Sequence, residues 1–258
     1  LADAGHMLTD FAALSLAWLA FRFSRWPADR TRTYGFARLQ VLVAFSSGLS
    51  LLVISGFIFY EAIRRLAEPV EVLGGMMLAV ATAGLIVNLV VFAILHGADR
   101  SNLNVRAATI HVLGDLLGSV GAIAAAGIIL TTGLTVADPL ISMFVVALIL
   151  RSAWKVIRES AHILLEGTPT GLALTEIKAD LEAHVDGVED VHHIHAWSIT
   201  QERPMLTLHA RLTKHADPEQ AIAGIKARLK EHFRIDHTTI EIELDACADR
   251  SSARQAHG

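Results

Sequence analysis

Two histidine–aspartate pairs stand at the same spacing within apolar stretches of the sequence. His6 and Asp10 open the run GHMLTDFAALSLAWLAF, and His111 and Asp115 lie in IHVLGDLLGSVGAIAAAG. An ionisable side chain at the centre of a membrane-spanning helix costs roughly 2.5 to 3.5 kcal/mol on insertion scales, so such residues usually have a function. Residues four apart share one face of a helix, so each segment can present one imidazole and one carboxylate to the same point.

Two such helices side by side would supply four ligands to a metal ion. Two neutral imidazoles and two carboxylates suit tetrahedral Zn²⁺, whereas Ca²⁺ and Mg²⁺ prefer more oxygen ligands and no imidazole. Zinc is therefore the leading candidate, with cobalt and cadmium behind it. The alternative is that each pair is an isolated hydrogen bond that ties helices together. The repetition of the pair in two apolar stretches favours the metal site.

The position of these ligands within apolar segments indicates a transport role. Without a metal ion, carboxylates at membrane depth cannot cheaply remain charged, and histidine titrates near neutral pH. An empty site should take up protons and a filled site should release them, which is the chemistry of a metal/proton exchanger. Gly114, Gly118, Gly121 and Gly127 would let neighbouring helices approach and slide, although ordinary close packing explains these glycines equally well.

The composition is that of a membrane chain with a soluble C-terminal part. The 258 residues are 53% hydrophobic and their mean hydropathy is +0.46, with charges crowded into short segments and the last third. A helix needs about 20 apolar residues to cross the hydrocarbon core of a bilayer. Five stretches meet or approach this length: 1–23, 39–60, 72–95, 107–130 and 139 to about 157. We predict a transmembrane helical domain over residues 1–158, a cytoplasmic domain over 167–245 and a disordered tail over 246–258.

Arginines predict the orientation of these helices. The segment 22–38 carries five arginines against one aspartate, whereas 61–71 is balanced by acids and 131–138 has no basic residue. The positive-inside rule places 22–38 in the cytoplasm, and counting spans from there places the part after residue 158 there too. Residue 1 then lies outside, so we expect a further helix upstream and a whole protein of six spans. A genuine five-span protein is the alternative.

The part of the chain after residue 167 has the pattern of a small α+β domain. TEIKADLEAHV is helical, DVHHIHAWSIT and PMLTLHARL alternate like strands, and DPEQAIAGIKARLKEHF and TTIEIEL follow as a helix and a strand. The order is αββαβ, for which a compact sheet with helices on one face is the natural solution. Asp217 should cap the second of these helices, with Pro218 in its first turn. The single cysteine, Cys247, excludes a disulfide framework and, we expect, a Cys-based metal site within one chain.

Alternation along the predicted strands separates a buried face from a polar face. The polar face should carry His209, Glu241 and Glu243. The buried face should carry the apolar residues of the same strands, namely Leu206, Leu208, Ala210, Leu212, Ile240, Ile242 and Leu244.

Four segments together resemble successive signatures of the cation diffusion facilitator family, in its zinc-transporter branch: LADAGHMLTDFAALSLAWLA, YGFARLQVLVAF, SNLNVRAATIHVLGD and ADPLISMFVVALIL. The resemblance extends over residues 1 to about 244. It implies that the second to sixth helices of the family are present and the first is absent. It also implies a homodimer in the bacterial plasma membrane that exports Zn²⁺ from the cytoplasm in exchange for protons. In that family His6, Asp10, His111 and Asp115 would form the transport site.

The resemblance further implies that the αββαβ domain is cytoplasmic and similar to a metallochaperone. In this domain His192 and His209 would bind zinc as a regulatory ligand and clamp the dimer. Glu241 and Glu243, which stand where relatives have a histidine and an aspartate, would complete that site. A plain surface or interface position is the alternative for each of these four residues.

The expected function is proton-coupled efflux of divalent cations, Zn²⁺ foremost. A transport-inactive membrane metal sensor and a membrane metalloenzyme are the alternatives. An enzyme is disfavoured because the sequence has no H-E-x-x-H motif and because four protein ligands leave no position for water, so we expect no enzymatic activity. The sequence contains no Gly-rich phosphate loop, so we do not expect ATP to drive the process. The expected partners are membrane lipid, a second copy of the chain, divalent metal ions and protons, and not nucleic acid.

Overall fold

A computed structural model of the chain describes residues 19, 22–23, 26–68, 74–96, 103–244 and 247, without the side chains of residues 103, 104, 106, 107 and 111. The chain divides into two compact units, Leu1–Leu164 and Leu165–Gly258. Most of the predicted span 1–23 and, apart from Cys247, the predicted tail 246–258 lie outside the described residues.

Four long helices form the described part of the N-terminal unit: α1 (Ala37–Ala67), α2 (Gly74–His96), α3 (Leu103–Thr132) and α4 (Ala137–Leu164). All four contain a segment long and apolar enough to cross a membrane. They coincide with the last four predicted spans. The helices α1 and α4 continue well past the predicted ends of those spans, and the reason differs between the two.

Charged side chains extend α1 beyond its apolar part. Glu61 Oε1 lies 3.3 Å from Arg65 Nε, and Glu68 Oε2 lies 3.9 Å from Arg64 Nε. Such pairs at i,i+4 spacing favour the helical backbone. Arg65 Nη1 also lies 3.5 Å from Asp138 Oδ2 in the first turn of α4. This polar end of α1 is therefore fixed to the start of α4.

The last turns of α4 are amphipathic. Arg151, Lys155 and Arg158 are exposed there, while a buried stripe follows the helical spacing. That stripe consists of Ala153, Val156, Ile157, Ser160 and Ile163. Ile163 joins a buried cluster with Val41 of α1. The helix therefore continues to Leu164 because one of its faces packs on α1 after the apolar span has ended.

Glycines lie at close approaches between helices of the N-terminal unit. A Cβ added to Gly48 of α1 would lie only 2.8 Å from Cγ1 of Ile157 on α4. A Cβ added to Gly121 of α3 would lie 2.8 Å from Cγ2 of Ile141 on α4. Neither position can take a side chain without displacing its neighbour, so small residues determine how closely these helices pack.

The other glycines of α3 differ in their surroundings. A Cβ added to Gly114 would lie 3.1 Å from the side chain of Ile149, so this glycine also lies at the contact with α4. Around Gly118 and Gly127 no described atom would lie within 4 Å of an added Cβ. Of the four glycines singled out in the sequence, Gly114 and Gly121 therefore lie at a described helix contact.

Large apolar side chains cover the outside of the N-terminal unit. Val53 and Phe57 of α1 are each 68% exposed, and Ile94 of α2 is 71% exposed. A helix that is apolar on its outer face as well as its inner face is stable in a membrane, where lipid surrounds it. The unit is thus built to pack inward through small residues and to face lipid with large ones.

The C-terminal unit has the predicted αββαβ order. Its elements are α5 (Leu174–His184), β1 (Val188–Thr200), β2 (Arg203–Leu212), α6 (Pro218–Phe233) and β3 (His237–Glu243). The strands form one sheet in the order β1-β2-β3, with β1 and β2 antiparallel and β2 and β3 parallel. The parallel pair is connected through α6, as a crossover between parallel strands requires.

This unit has a hydrophobic core of its own. Ile177 and Leu181 of α5 and Ile225 and Leu229 of α6 are buried against the sheet, together with Val191, Leu206, Leu208, Ala210 and Leu212. The Asp217 side chain accepts a hydrogen bond from the Glu219 backbone N–H at 2.9 Å, so the predicted cap of α6 is confirmed.

One prediction about the strands is wrong. Ile240 and Ile242 pack against the core as predicted, but Leu244 is 62% exposed. The physical reason is that β3 ends at Glu243, so the alternation no longer applies one residue later. The buried residue at this end of the strand is Glu243 itself.

We predict that Gly48→Ala lowers the melting temperature of the purified protein relative to Gly56→Ala. Both changes bring the same gain in helix propensity on α1, but only the Cβ at position 48 meets Ile157, whereas the Cβ at 56 meets no described atom within 4 Å. Overpacking of this kind costs about 1 to 3 kcal/mol. Thermal unfolding in detergent measures the difference, and a Gly48→Ala variant that melts at or above the Gly56→Ala variant would contradict the packing of α1 on α4.

Candidate metal centres

The pairing of the three strands aligns the candidate ligands of the C-terminal unit across the sheet. His192 of β1 is the register partner of His209 of β2. His209 is in turn the register partner of Glu241 of β3. Because side chains alternate along a strand, Glu243 shares the face of Glu241. Register therefore gathers all four predicted residues on one face of the sheet.

A bulge in β1 adds a third imidazole beside this row. The register of β1 with β2 shifts between His192 and His195, and His193 has a φ of 47°. Successive strand residues normally point to opposite faces, but a bulge with a left-handed residue alters that alternation. The ring centroids of His192 and His193 lie 5.6 and 4.9 Å from that of His209. This third histidine cannot be read from period-two alternation.

Glu243 is the carboxylate that joins the two predicted histidines. Its Oε1 lies 3.0 Å from Nδ1 of His209, and its Oε2 lies 3.0 Å from Nε2 of His192. Its side chain is only 6% exposed. By contrast, the Glu241 side chain is 53% exposed and its Oε2 lies 3.5 Å from Nε2 of His209. The structure therefore places Glu243 at the centre of the cluster and Glu241 at its margin.

Charged side chains also lie on the other side of His192. Asp190 Oδ2 lies 2.9 Å from Nδ1 of His192, and Lys178 Nζ lies 2.7 Å from the other oxygen of Asp190. The hydrogen bond from Lys178 is the main cause that holds the pKa of Asp190 below its usual value. A charged carboxylate therefore lies close to Nδ1 of His192, at the opposite ring nitrogen from Glu243.

Buried polar atoms of the cluster lack satisfactory hydrogen bonds among the described residues. They are both ring nitrogens of His192 and Oε2 of Glu243. Burial opposes the charge of Glu243, but hydrogen bonds from Cys247 and His209 and the charges of His192 and His209 outweigh it, so its pKa lies below the usual value. A buried, charged carboxylate between two imidazoles is an environment that a divalent cation would stabilise.

Cys247 is the residue of this cluster that the sequence analysis missed. Its Sγ lies 3.8 Å from Nδ1 of His209. One ligand atom from each of His192, His209, Glu243 and Cys247 can be chosen so that all lie within 4.8 Å of one another. Nitrogen, oxygen and sulfur are the ligand types that zinc accepts. The sequence analysis considered only sites built from several cysteines and therefore did not include this single thiol.

The structure describes only part of the predicted membrane site. His6 and Asp10 lie outside the described residues, and so does the side chain of His111. The backbone of α3 is helical through both 111 and 115, and this spacing places the two positions on one helix face. Asp115 is half-buried, and its neighbours Val112 and Leu116 are buried. A half-buried carboxylate thus lies on a helix that can cross the membrane.

Two family models together match nearly the whole chain. One, described as the cation efflux transmembrane domain, matches residues 1–165. The other, described as the cation efflux protein cytoplasmic domain, matches residues 169–245.

Relatives from three bacteria match over almost the same extent. Zinc transporter ZitB from Pectobacterium atrosepticum is 48% identical over 250 residues, which cover 96% of this chain and 78% of the relative. A Bacillus subtilis protein named cadmium, cobalt and zinc/H(+)-K(+) antiporter is 40% identical, with 95% of this chain and 80% of the relative covered. The metal cation efflux system protein CzcD from Cupriavidus metallidurans is 36% identical, with 98% and 80% covered.

A solved structure also shows similarity to this chain. It is the metal-bound C-terminal domain of the CzcD transporter, which is 31% identical and matches with a TM-score of 0.27 over 28% of this chain and 100% of that domain. The family models and the relatives confirm the family resemblance found in the motifs. The chain is an integral membrane protein of the cation efflux, or cation diffusion facilitator, family, and its C-terminal unit is that family's cytoplasmic domain.

Proposed function

We propose that this protein exports divalent metal ions, Zn²⁺ foremost, from the cytoplasm in exchange for protons. The observation that carries the proposal is Asp115, a carboxylate half-buried on a helix that can cross the membrane, one turn from His111. The relatives support it, since they are named a zinc transporter, a cadmium, cobalt and zinc/H(+)-K(+) antiporter and a metal cation efflux protein. Zn²⁺ is the substrate in this proposal.

The proposed transport site consists of His6, Asp10, His111 and Asp115. Two carboxylates would balance the charge of one divalent ion, and two imidazoles would complete a tetrahedral set. When the ion leaves, the same groups would bind protons, because two carboxylates at membrane depth are costly to keep charged. Metal and protons would thus compete for one set of side chains, which makes their fluxes opposite and coupled.

The site would require helices that can change their packing. Gly114 and Gly121 allow α3 to lie close to α4. Because glycine has no side chain, these two positions would not obstruct a sliding movement of α3 along α4. We propose that residues 1–158 form the transport domain and residues 167–245 the cytoplasmic domain. Four protein ligands leave no position for a reactive water, so we assign the site no enzymatic role.

The cytoplasmic domain would bind zinc as a regulatory ligand. His192, His209 and Glu243 are its proposed ligands, with Glu241 as a marginal contributor. The buried charge of Glu243 and the unsatisfied nitrogens of His192 support this assignment. We also propose that this domain forms a homodimer and that the bound ion stabilises it, which its match to the family's cytoplasmic-domain model supports.

We predict that loss of any one of the four transport ligands abolishes most transport. Single alanine variants at His6, Asp10, His111 and Asp115 should each lose at least about tenfold in zinc uptake, and the quadruple variant should lose little more, because the ligands act as one unit. The measurement is zinc uptake into proteoliposomes, normalised to folded protein.

A matched carboxylate serves as the control for this series. Asp138→Ala removes the ion pair with Arg65 at the end of α1 but no proposed ligand, so transport per folded molecule should persist. Parental zinc uptake by the His111→Ala variant, or strictly additive effects of Asp10→Ala and Asp115→Ala, would contradict a shared site.

We predict that zinc stabilises the purified C-terminal unit, residues 165–258, through His209. At a hundredfold excess over Kd, binding to the native state raises stability by about 2.7 kcal/mol, which thermal unfolding detects. His209→Ala should lose most of this shift. His195→Ala changes an exposed histidine of β1 that lies outside the cluster, so this variant should keep the shift. An unchanged shift in His209→Ala would remove this residue from the proposed site.

A further inference from the structure

Cys247, which follows the last strand, lies at the ligand cluster. β3 ends at Glu243, and Cys247 lies four residues later in the chain. Its sulfur nevertheless lies 3.8 Å from Nδ1 of His209, on the face of the sheet that holds the two imidazoles and the buried carboxylate. The hydrogen bond between this thiol and the Glu243 carboxyl shows that both groups point to the same place.

A second observation indicates that this place is suited to a cation. The Glu243 side chain is more than nine-tenths buried, and its Oε2 has no hydrogen bond of good geometry among the described residues. That oxygen faces Nε2 of His192, which also lacks one. Buried polar groups are seldom left without hydrogen bonds. A metal ion that both the carboxylate oxygen and the imidazole nitrogen coordinate would satisfy the two groups together.

The distances in the cluster approach those of a tetrahedral site. Metal–ligand bonds of 2.0 to 2.3 Å imply ligand–ligand separations of roughly 3.3 to 3.8 Å in a tetrahedron. His192 Nε2 to Glu243 Oε2 and His209 Nδ1 to Glu243 Oε1 are both 3.0 Å, and Cys247 Sγ to His209 Nδ1 is 3.8 Å. The four ligand atoms lie within 4.8 Å of one another, so side-chain adjustments of about an ångström would close the set.

We propose that Cys247 is the fourth ligand of the cytoplasmic site and binds a soft or borderline divalent ion, Zn²⁺ or Cd²⁺, as a thiolate with His192, His209 and Glu243. The inference rests on the proposed regulatory metal site and specifies its donor set. On binding, the S–H bond of Cys247 breaks, a metal–sulfur bond forms, and the proton passes to solvent. The site is thereby complete within one protomer.

Sulfur changes which ions the site selects. Thiolate ligands favour Zn²⁺ and softer ions, whereas a site of imidazoles and carboxylates alone accepts harder ions as well. The cysteine also links the metal to the chain beyond β3. When the ion binds, Cys247 is held beside His209, so occupancy of the site fixes the position of this residue beyond β3.

The test is the sulfur-to-metal charge-transfer absorption of the 258-residue protein in detergent, titrated with Cd²⁺ and, separately, with Co²⁺. Because the chain contains one cysteine, any such absorption comes from Cys247. We expect the absorption in the parent protein and its loss in Cys247→Ser, with at least about a tenfold weaker cadmium affinity of this site, since even groups that only support a metal ligand are worth that much. Zinc should also slow alkylation of the Cys247 thiol.

Two further variants separate loss of this site from other effects. His209→Ala retains the thiol but removes a ligand beside it, so the absorption should be lost or strongly weakened. Asp115→Ala alters the proposed transport site and should leave the absorption unchanged, so failure of the transport mechanism and failure of this inference are distinguishable. No charge-transfer absorption in the parent at saturating Cd²⁺, or full absorption in the His209→Ala variant, would overturn the assignment.

Discussion

The free-energy cost of placing a carboxylate in apolar surroundings is the constraint on which the rest of this structure depends. Asp115 lies half-buried on a helix that can cross a membrane, and Glu243 lies almost wholly buried on a sheet. A charge in such a place is stable only when an opposite charge, a proton or a metal ion accompanies it. Both candidate centres therefore have the same physical logic, although they lie in different units of the chain.

The two units satisfy this constraint with different architectures. In the N-terminal unit, a helix presents ligands at four-residue spacing, and glycines such as Gly121 let a neighbouring helix approach within side-chain contact. In the cytoplasmic unit, strand pairing brings the ligands together. The register of His192 with His209 brings the two rings together, and the buried Glu243 lies within 3.0 Å of both. The hydrophobic core beneath the sheet keeps that register fixed, because a shift by one residue would reverse every side chain.

The sequence predicted those features that depend on local periodicity. Apolar length located the helices that begin at Ala37, Gly74, Leu103 and Ala137, and alternation located the strands. The ends were less accurate, because α1 is prolonged by ion pairs around Glu61 and α4 by packing against Val41. These are contacts between side chains, which a hydropathy pattern cannot predict.

In the ligand cluster, too, the sequence predicted what depends on local periodicity and missed what depends on contacts between distant residues. Alternation placed His209 and Glu243 together correctly on the polar face, since both are strand residues. It could not distinguish the buried Glu243 from the exposed Glu241, because that difference depends on which residue lies over His192. His193 and Cys247 escaped prediction for physical reasons: one depends on a bulge, the other on the path of the chain after a strand has ended.

The central claim is that one set of ligands exchanges a metal ion for protons across the membrane. Proteoliposomes that contain the protein and an internal pH indicator test it directly when Zn²⁺ is added outside without a pH gradient. We expect the internal pH to rise as zinc enters, because protons leave in exchange, and we expect neither change in vesicles that carry the Asp115→Ala variant. Zinc accumulation with no change of internal pH would contradict the account.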